Sequence, residues 1–150
     1  MVDQVSSPIE SASAEQGVGL LLAGICRAHR NLVASALDQI RVHVGQDHVL
    51  HRLAAEEGVT QSQLAEALSL NASTVTKTLL RLERDGVVER RADARDARVS
   101  RVHLTPRGRT LVGPVADIWV QAEQRLVKDL SEVERALLRR LLMQVLANLT

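Results

Sequence analysis

Apolar residues recur every three or four positions through several long stretches of the chain and alternate only briefly in its middle. From Ala14 to Gln39 the seam Val18, Leu21, Leu22, Ile25, Ala28, Leu32 and Ala36 predicts a long amphipathic helix, weakened at its start by Gly17, Gly19 and Gly24. Residues 1–13 carry Ser, Pro and acids without an apolar period and are expected to form a flexible tail. A second helix is predicted over Gln46–Glu57, with Val49, Leu50, Leu53 and Ala54 inward and Gly58 in the left-handed position that ends a helix.

The middle segment "TQSQLAEALSLNASTVTKTLLRLERDG" holds two shorter helical patterns separated by Ser69–Asn71. Thr60 and Asn71 are small polar residues placed to cap them, because a side-chain oxygen there accepts from an otherwise unpaired backbone N–H. The first helix turns Leu64, Ala65 and Leu68 inward and the second turns Val75, Leu79 and Leu82 inward, with Gly86 as its stop. This is a helix-turn-helix pattern. "VVERR" and "VSRVHL" then read as the strands of a β-hairpin around the polar "ADARDA", which makes the unit a winged helix.

"LTPRG" launches the next helix, with Thr105 as cap and Pro106 at its first position. It runs toward Lys128, with a kink expected at Gly113-Pro114. Ser131 and Glu134 form a capping box for a last helix, Glu132–Leu149, whose Val133, Leu137, Leu138, Leu141, Leu142, Val145, Leu146 and Leu149 make a broad apolar face. The long helices at both ends carry more apolar surface than a small winged domain can cover, so they are expected to pack against a second copy. The fold class is therefore mainly α with a small β-hairpin wing. The expected organisation is a tail (1–13), an N-terminal dimerisation helix and connection (14–45), a winged helix-turn-helix (46–104) and C-terminal dimerisation helices (105–150).

Composition changes this picture in two ways. Aromatic residues make up only 1% of the chain, with Trp119 alone and no Phe or Tyr, so the core must be Leu, Val, Ile and Ala. The net charge of +1 also hides an asymmetry. Residues 60–110 hold ten Lys and Arg against six acids, which leaves the rest of the chain at −3. A basic middle between acidic flanks suits contact with a polyanion. Cys26 is a single cysteine and permits no internal disulfide, and no run of about 18 apolar residues marks a membrane span, so a cytoplasmic protein is expected.

With Val75, Leu79 and Leu82 inward, the opposite face of the second short helix presents Ser73, Thr74, Thr76, Lys77 and Arg81. Small hydroxyl residues at a helix start let that end approach the edges of bases in a major groove, and exposed N–H groups there favour a phosphate. Arg95 and Arg98 flank the hairpin tip, where arginine fits a narrow minor groove, and Arg90 and Arg91 at its base are placed for phosphates. Asp96 is expected to brace the tip by pairing with a hairpin arginine, or to act simply as a turn former.

Residues 46–108 resemble the MarR family of transcriptional regulators through "TQSQLAEALSL", "STVTKTLLRLERDGVVERR", Asp96 with Arg98, and "LTPRG" at consistent separations, and the flanking helices extend the likeness over about residues 15–148. The resemblance implies a triangular homodimer with interlocked terminal helices, binding a palindromic double-stranded DNA operator. It implies that Ser73, Thr74, Thr76 and Lys77 enter the major groove, that Arg98 aided by Arg95 serves the wing, and that Asp96 braces it. Ala97 and Pro114 depart from the family pattern.

Members of the family commonly release DNA when a small anionic aromatic compound fills the crevice between dimer helices and reading head, so a small-molecule effector of unknown identity is an implied partner. Trp119 is the candidate lining residue, against the plainer reading of a core or interface tryptophan. Cys26 lies near the reactive cysteine of peroxide-sensing members, which makes a redox-switched regulator one alternative. Those members activate it with tyrosine, which this chain lacks, so a buried, inert cysteine is the simpler expectation. His43, His48 and His51 lack a third rigid partner, and no metal or other cofactor is expected. No glycine-rich phosphate loop, HExxH or nucleophile elbow is present, so no enzyme is expected. A winged-helix module for protein contacts is the other alternative; hydroxyls on the reading helix and arginines on the wing argue against it.

Overall fold

The computed structural model describes residues 17–150, so the expected tail at 1–13 lies outside the described residues. Six helices and three strands follow in order: α1 (Val18–Gln39), α2 (Gln46–Ala55), β1 (Val59–Thr60), α3 (Gln61–Ala67), α4 (Ala72–Arg84), β2 (Val88–Ala92), β3 (Ser100–Leu104), α5 (Pro106–Leu126) and α6 (Glu132–Ala147). No described helix is long and apolar enough to cross a membrane.

The sheet differs from the expected hairpin by one strand. It has the antiparallel order β1-β3-β2, with Val59 paired to Val102 and Thr60 to Arg101 on one side of β3, and Val88 to Leu104 through Ala92 to Ser100 on the other. A two-residue strand has no periodicity of its own to announce it; it exists because β3 offers a free edge beside it. Gly58 explains the approach. Its φ of +74° is left-handed as expected, but helix α2 has already ended at Ala55 and the glycine instead turns the chain into β1, its N–H donating to the Val102 carbonyl.

The core lies where α2, α3, α4 and α5 meet the sheet. Leu50, Leu53, Leu64, Val75, Leu79, Leu82, Val102, Leu104 and Val115 are all buried there. Ala54, expected inward, is exposed on α2. Helix α5 runs through Pro114 as one helix and contacts both α1 and α2, so it links the N-terminal helix to the winged unit.

The terminal helices are apolar but uncovered in one copy of the chain. Of the α1 seam, Val18, Leu21 and Ile25 are exposed, and the residues α1 does bury are Val33 and Leu37 near its end. Helix α6 starts in the expected Ser131–Glu134 capping box and buries none of its residues. The Ser131 hydroxyl and N–H both donate to Glu134, holding its carboxyl below the usual glutamate range.

Candidate nucleic-acid interface

The reading helix α4 is fixed at its start by two local devices. Thr60 and Gln63 form a reciprocal capping box on α3, and the Asn71 carboxamide oxygen accepts from the Thr74 N–H at 2.8 Å and the Ser73 hydroxyl at 2.8 Å. Ser69, with φ of +51°, makes the tight turn between the helices. Burial of Val75, Leu79 and Leu82 then orients α4, and Ser73, Thr74, Lys77 and Arg81 are exposed on its other side.

Thr76 is placed differently from its neighbours. It is half-buried, its hydroxyl donates to the Ala72 carbonyl at 2.8 Å, and the same oxygen accepts from Gln61 Nε2 at 2.6 Å. A hydroxyl whose proton and one lone pair are both committed has little left with which to read a base. The sequence placed Thr76 on the reading face because its phase on the helix allowed it; the partner that captures it is 15 residues away.

The arginines divide into two groups. Arg90 donates to Glu83 at 3.0 Å and to Gln61 Oε1 at 3.2 Å, Arg91 pairs with Glu89, and Arg101 and Arg109 pair with Asp93 and Glu57. Of the cations in residues 46–104, Lys77, Arg81, Arg95 and Arg98 have no carboxylate partner, and all four are exposed. Free positive charge therefore sits on the reading helix and at the wing tip, while the cations of the strands between are largely neutralised.

The tip itself is braced by Asp93, not by the expected Asp96 ion pair. The Asp93 carboxylate pairs with Arg101 and accepts from the backbone N–H of Arg95 at 2.7 Å and of Asp96 at 3.1 Å. Arg101 Nη1 also donates to the Gly58 carbonyl at 2.7 Å, which ties the tip through β3 to the start of β1. The Arg101 hydrogen bond first, then the two backbone donors, hold the Asp93 carboxyl below the ordinary aspartate value of 3.8. Asp96 is the turn former: its carboxylate accepts from the Arg98 N–H at 3.0 Å, and its carbonyl from the Val99 N–H. Both carboxylates lie in "ADARDA", and only the strand register decides which one faces Arg101.

Trp119 occupies the junction between α5 and α2. Its indole N–H donates to the buried carboxylate of Asp47 at 3.2 Å, and its ring is in tilted contact with those of His29 and His48, with centroids 5.7 and 5.4 Å away. An open cavity of about 420 Å³ lies beside it, lined by His48, His51, Ala116, Trp119 and Val120. His43, His48 and His51 do not come together. His43 faces Asp38 instead, and among the described residues no three His, Cys, Asp or Glu side chains meet with metal-binding geometry. Cys26 is exposed on α1, against the expectation of a buried thiol, because α1 buries residues only toward its end, at Val33 and Leu37.

Comparison with known proteins places this geometry among regulators. The MarR family model matches residues 44–100. The chain is 35% identical over 96 residues to the HTH-type transcriptional regulator PecS of Dickeya dadantii (strain 3937), which covers 64% of this chain and 58% of PecS. It is 33% identical over 89 residues to the transcriptional regulator AdcR of Streptococcus pneumoniae serotype 2, covering 59% of this chain and 58% of AdcR. The matches therefore span somewhat over half the length of these two relatives. Among solved structures, S. aureus MepR in its DNA complex is 31% identical, with a TM-score of 0.78, over 92% of this chain and 100% of that one.

Proposed function

Because the chain belongs to the MarR family, we propose that it acts as a sequence-specific transcriptional regulator that binds a pseudo-palindromic double-stranded DNA operator as a homodimer, and that it represses and responds to a small molecule. One observation carries the reading: within residues 46–104, the cations without a carboxylate partner lie on α4 and at the wing tip, the two elements that can reach adjacent grooves of one duplex.

The major groove admits an α-helix, and the exposed start of α4 brings Ser73 and Thr74 to base edges with Lys77 and Arg81 following along the groove. Arg95 and Arg98 on the braced tip suit a narrow A·T-rich minor groove, where the negative potential is strongest. Arg91 is placed for a phosphate, at the cost of exchanging Glu89 for it. A second copy would cover the exposed apolar faces of α1 and α6 and set two reading helices about one helical turn of DNA apart, or a multiple of it. Such a compact dimer occludes a promoter without needing an activation surface.

The cavity beside Trp119 supports the small-molecule response, since it lies where α5 meets the winged unit and an occupant would bear on both. We read the chain as a binding protein of the cytoplasm, with no catalytic step. The test is selection of genomic fragments by the purified protein, followed by gel-shift titration at several salt concentrations. A reproducible palindrome bound far more tightly than its scrambled sequence is expected; sequence-blind retention overturns the reading.

A further inference from the structure

We propose that Gln61 is a positioning residue that sets the angle between reading helix and wing, so that both engage the same operator half-site; this rests on the DNA-binding reading above. Gln61 is the first residue of α3, and the capping box of Thr60 with Gln63 fixes its backbone. Its side-chain amide is used at both ends with opposite polarity. Nε2 donates to Thr76 of α4 at 2.6 Å, and Oε1 accepts from Arg90 of β2 at 3.2 Å. Arg90 in turn donates to Glu83 of α4 at 3.0 Å, so one side-chain network joins α3, the reading helix and the wing strand.

These bonds contribute little to stability, because the Arg90 and Glu83 side chains keep 30% and 26% of their exposure. What they contribute is direction. The apolar contacts beneath them, Val75, Leu79 and Leu82 against Val88, favour burial without specifying an angle. Hydrogen bonds do specify one. The wing tip lies about five residues beyond Arg90, roughly 15 Å of extended chain, so a tilt of about 10° at Arg90 displaces the tip by about 3 Å. That is enough to lose a hydrogen bond in the minor groove while α4 stays seated. The network also accounts for Thr76, which acts through Gln61 rather than on a base.

The experiment measures affinity for the selected operator and a scrambled duplex with wild type, Gln61→Met, Arg98→Ala and the double variant. Methionine keeps the length of glutamine and removes both hydrogen bonds. Gln61→Met is expected to weaken operator binding about tenfold, to leave scrambled-duplex binding unchanged, and to shift the thermal midpoint by less than about 4 °C. Arg98→Ala should cost about tenfold in wild type and less than about threefold once Gln61 is gone, because the wing is then already out of place. Thr76→Val, which removes the partner in α4 without touching the wing, should show the same loss of coupling. Costs that simply multiply, or a Gln61→Met protein with wild-type operator affinity, overturn the inference while leaving the function intact. A wild-type protein that does not tell operator from scrambled duplex removes both.

Discussion

Trp119 and Asp47, 72 residues apart in the chain, meet at 3.2 Å through an indole N–H and a carboxylate that is 1% exposed. This bond joins α5 to the start of α2, and so links the helix that contacts α1 to the winged unit. A buried carboxylate needs every donor it has, and its other donor is the Gly45 N–H at 2.8 Å. Trp119→Phe keeps most of the ring and removes the donor, and is expected to lower unfolding free energy by about 1–3 kcal/mol. Urea denaturation followed by circular dichroism checks this; an unchanged midpoint would mean that the pair does not hold the two units together.

The division of the cations predicts a ranking in salt dependence. Lys77→Ala and Arg98→Ala should each lower the slope of log affinity against log salt by about one, since each removes a free charge from the interface. Arg91→Ala should lower it by much less, because Glu89 already balances that guanidinium. Gel-shift titrations between low and moderate salt separate the cases, and equal slopes for all three variants would contradict the division.

The brace at the wing tip should fail in acid. The Asp93 carboxyl titrates below its ordinary value of 3.8 in the folded chain, so its stabilising contribution is complete above that value and is lost as pH falls through the lower folded value. Wing order is therefore expected to be constant from neutral pH down to about 4 and to decline only below it. Asp93→Asn should remove this acid-dependent step and weaken operator binding at neutral pH. Carbon-detected NMR titration of the Asp93 side chain follows it directly, and a midpoint at or above the ordinary value would refute the brace.

Gly108 is required by contact. A Cβ at this position would lie 2.1 Å from the Val87 carbonyl oxygen and 3.2 Å from a Leu104 methyl. That same carbonyl accepts from the Thr105 N–H, which holds the start of α5 against the residue that leads into β2. Gly108→Ala should cost about 1–3 kcal/mol, because the carbonyl is backbone and has little room to move. Thermal unfolding reports it.

The uncovered face of α6 predicts the assembly. Leu137 and Leu141 are 47% and 45% exposed on a helix that buries nothing in one copy. Changing both to Glu is expected to halve the mass seen by sedimentation and to abolish operator binding, while the winged unit stays folded. A dimer that survives both charges would place the interface elsewhere.

The sequence by itself determined the helices, their order and the capped starts of four of them, because these depend on neighbours within one turn. The apolar period of α4, the caps at Thr60, Asn71, Thr105 and Ser131, and the exposure of Ser73, Lys77 and Arg81 all follow from residues three or four apart. Only the tertiary structure decided which polar groups pair across elements. Strand β1 exists through its register with β3, Asp93 rather than Asp96 meets Arg101, Thr76 is captured by Gln61, and Asp47 is buried beneath Trp119. These contacts join residues between 8 and 72 positions apart, and strand register and helix docking choose among partners that the chain's local chemistry leaves equivalent.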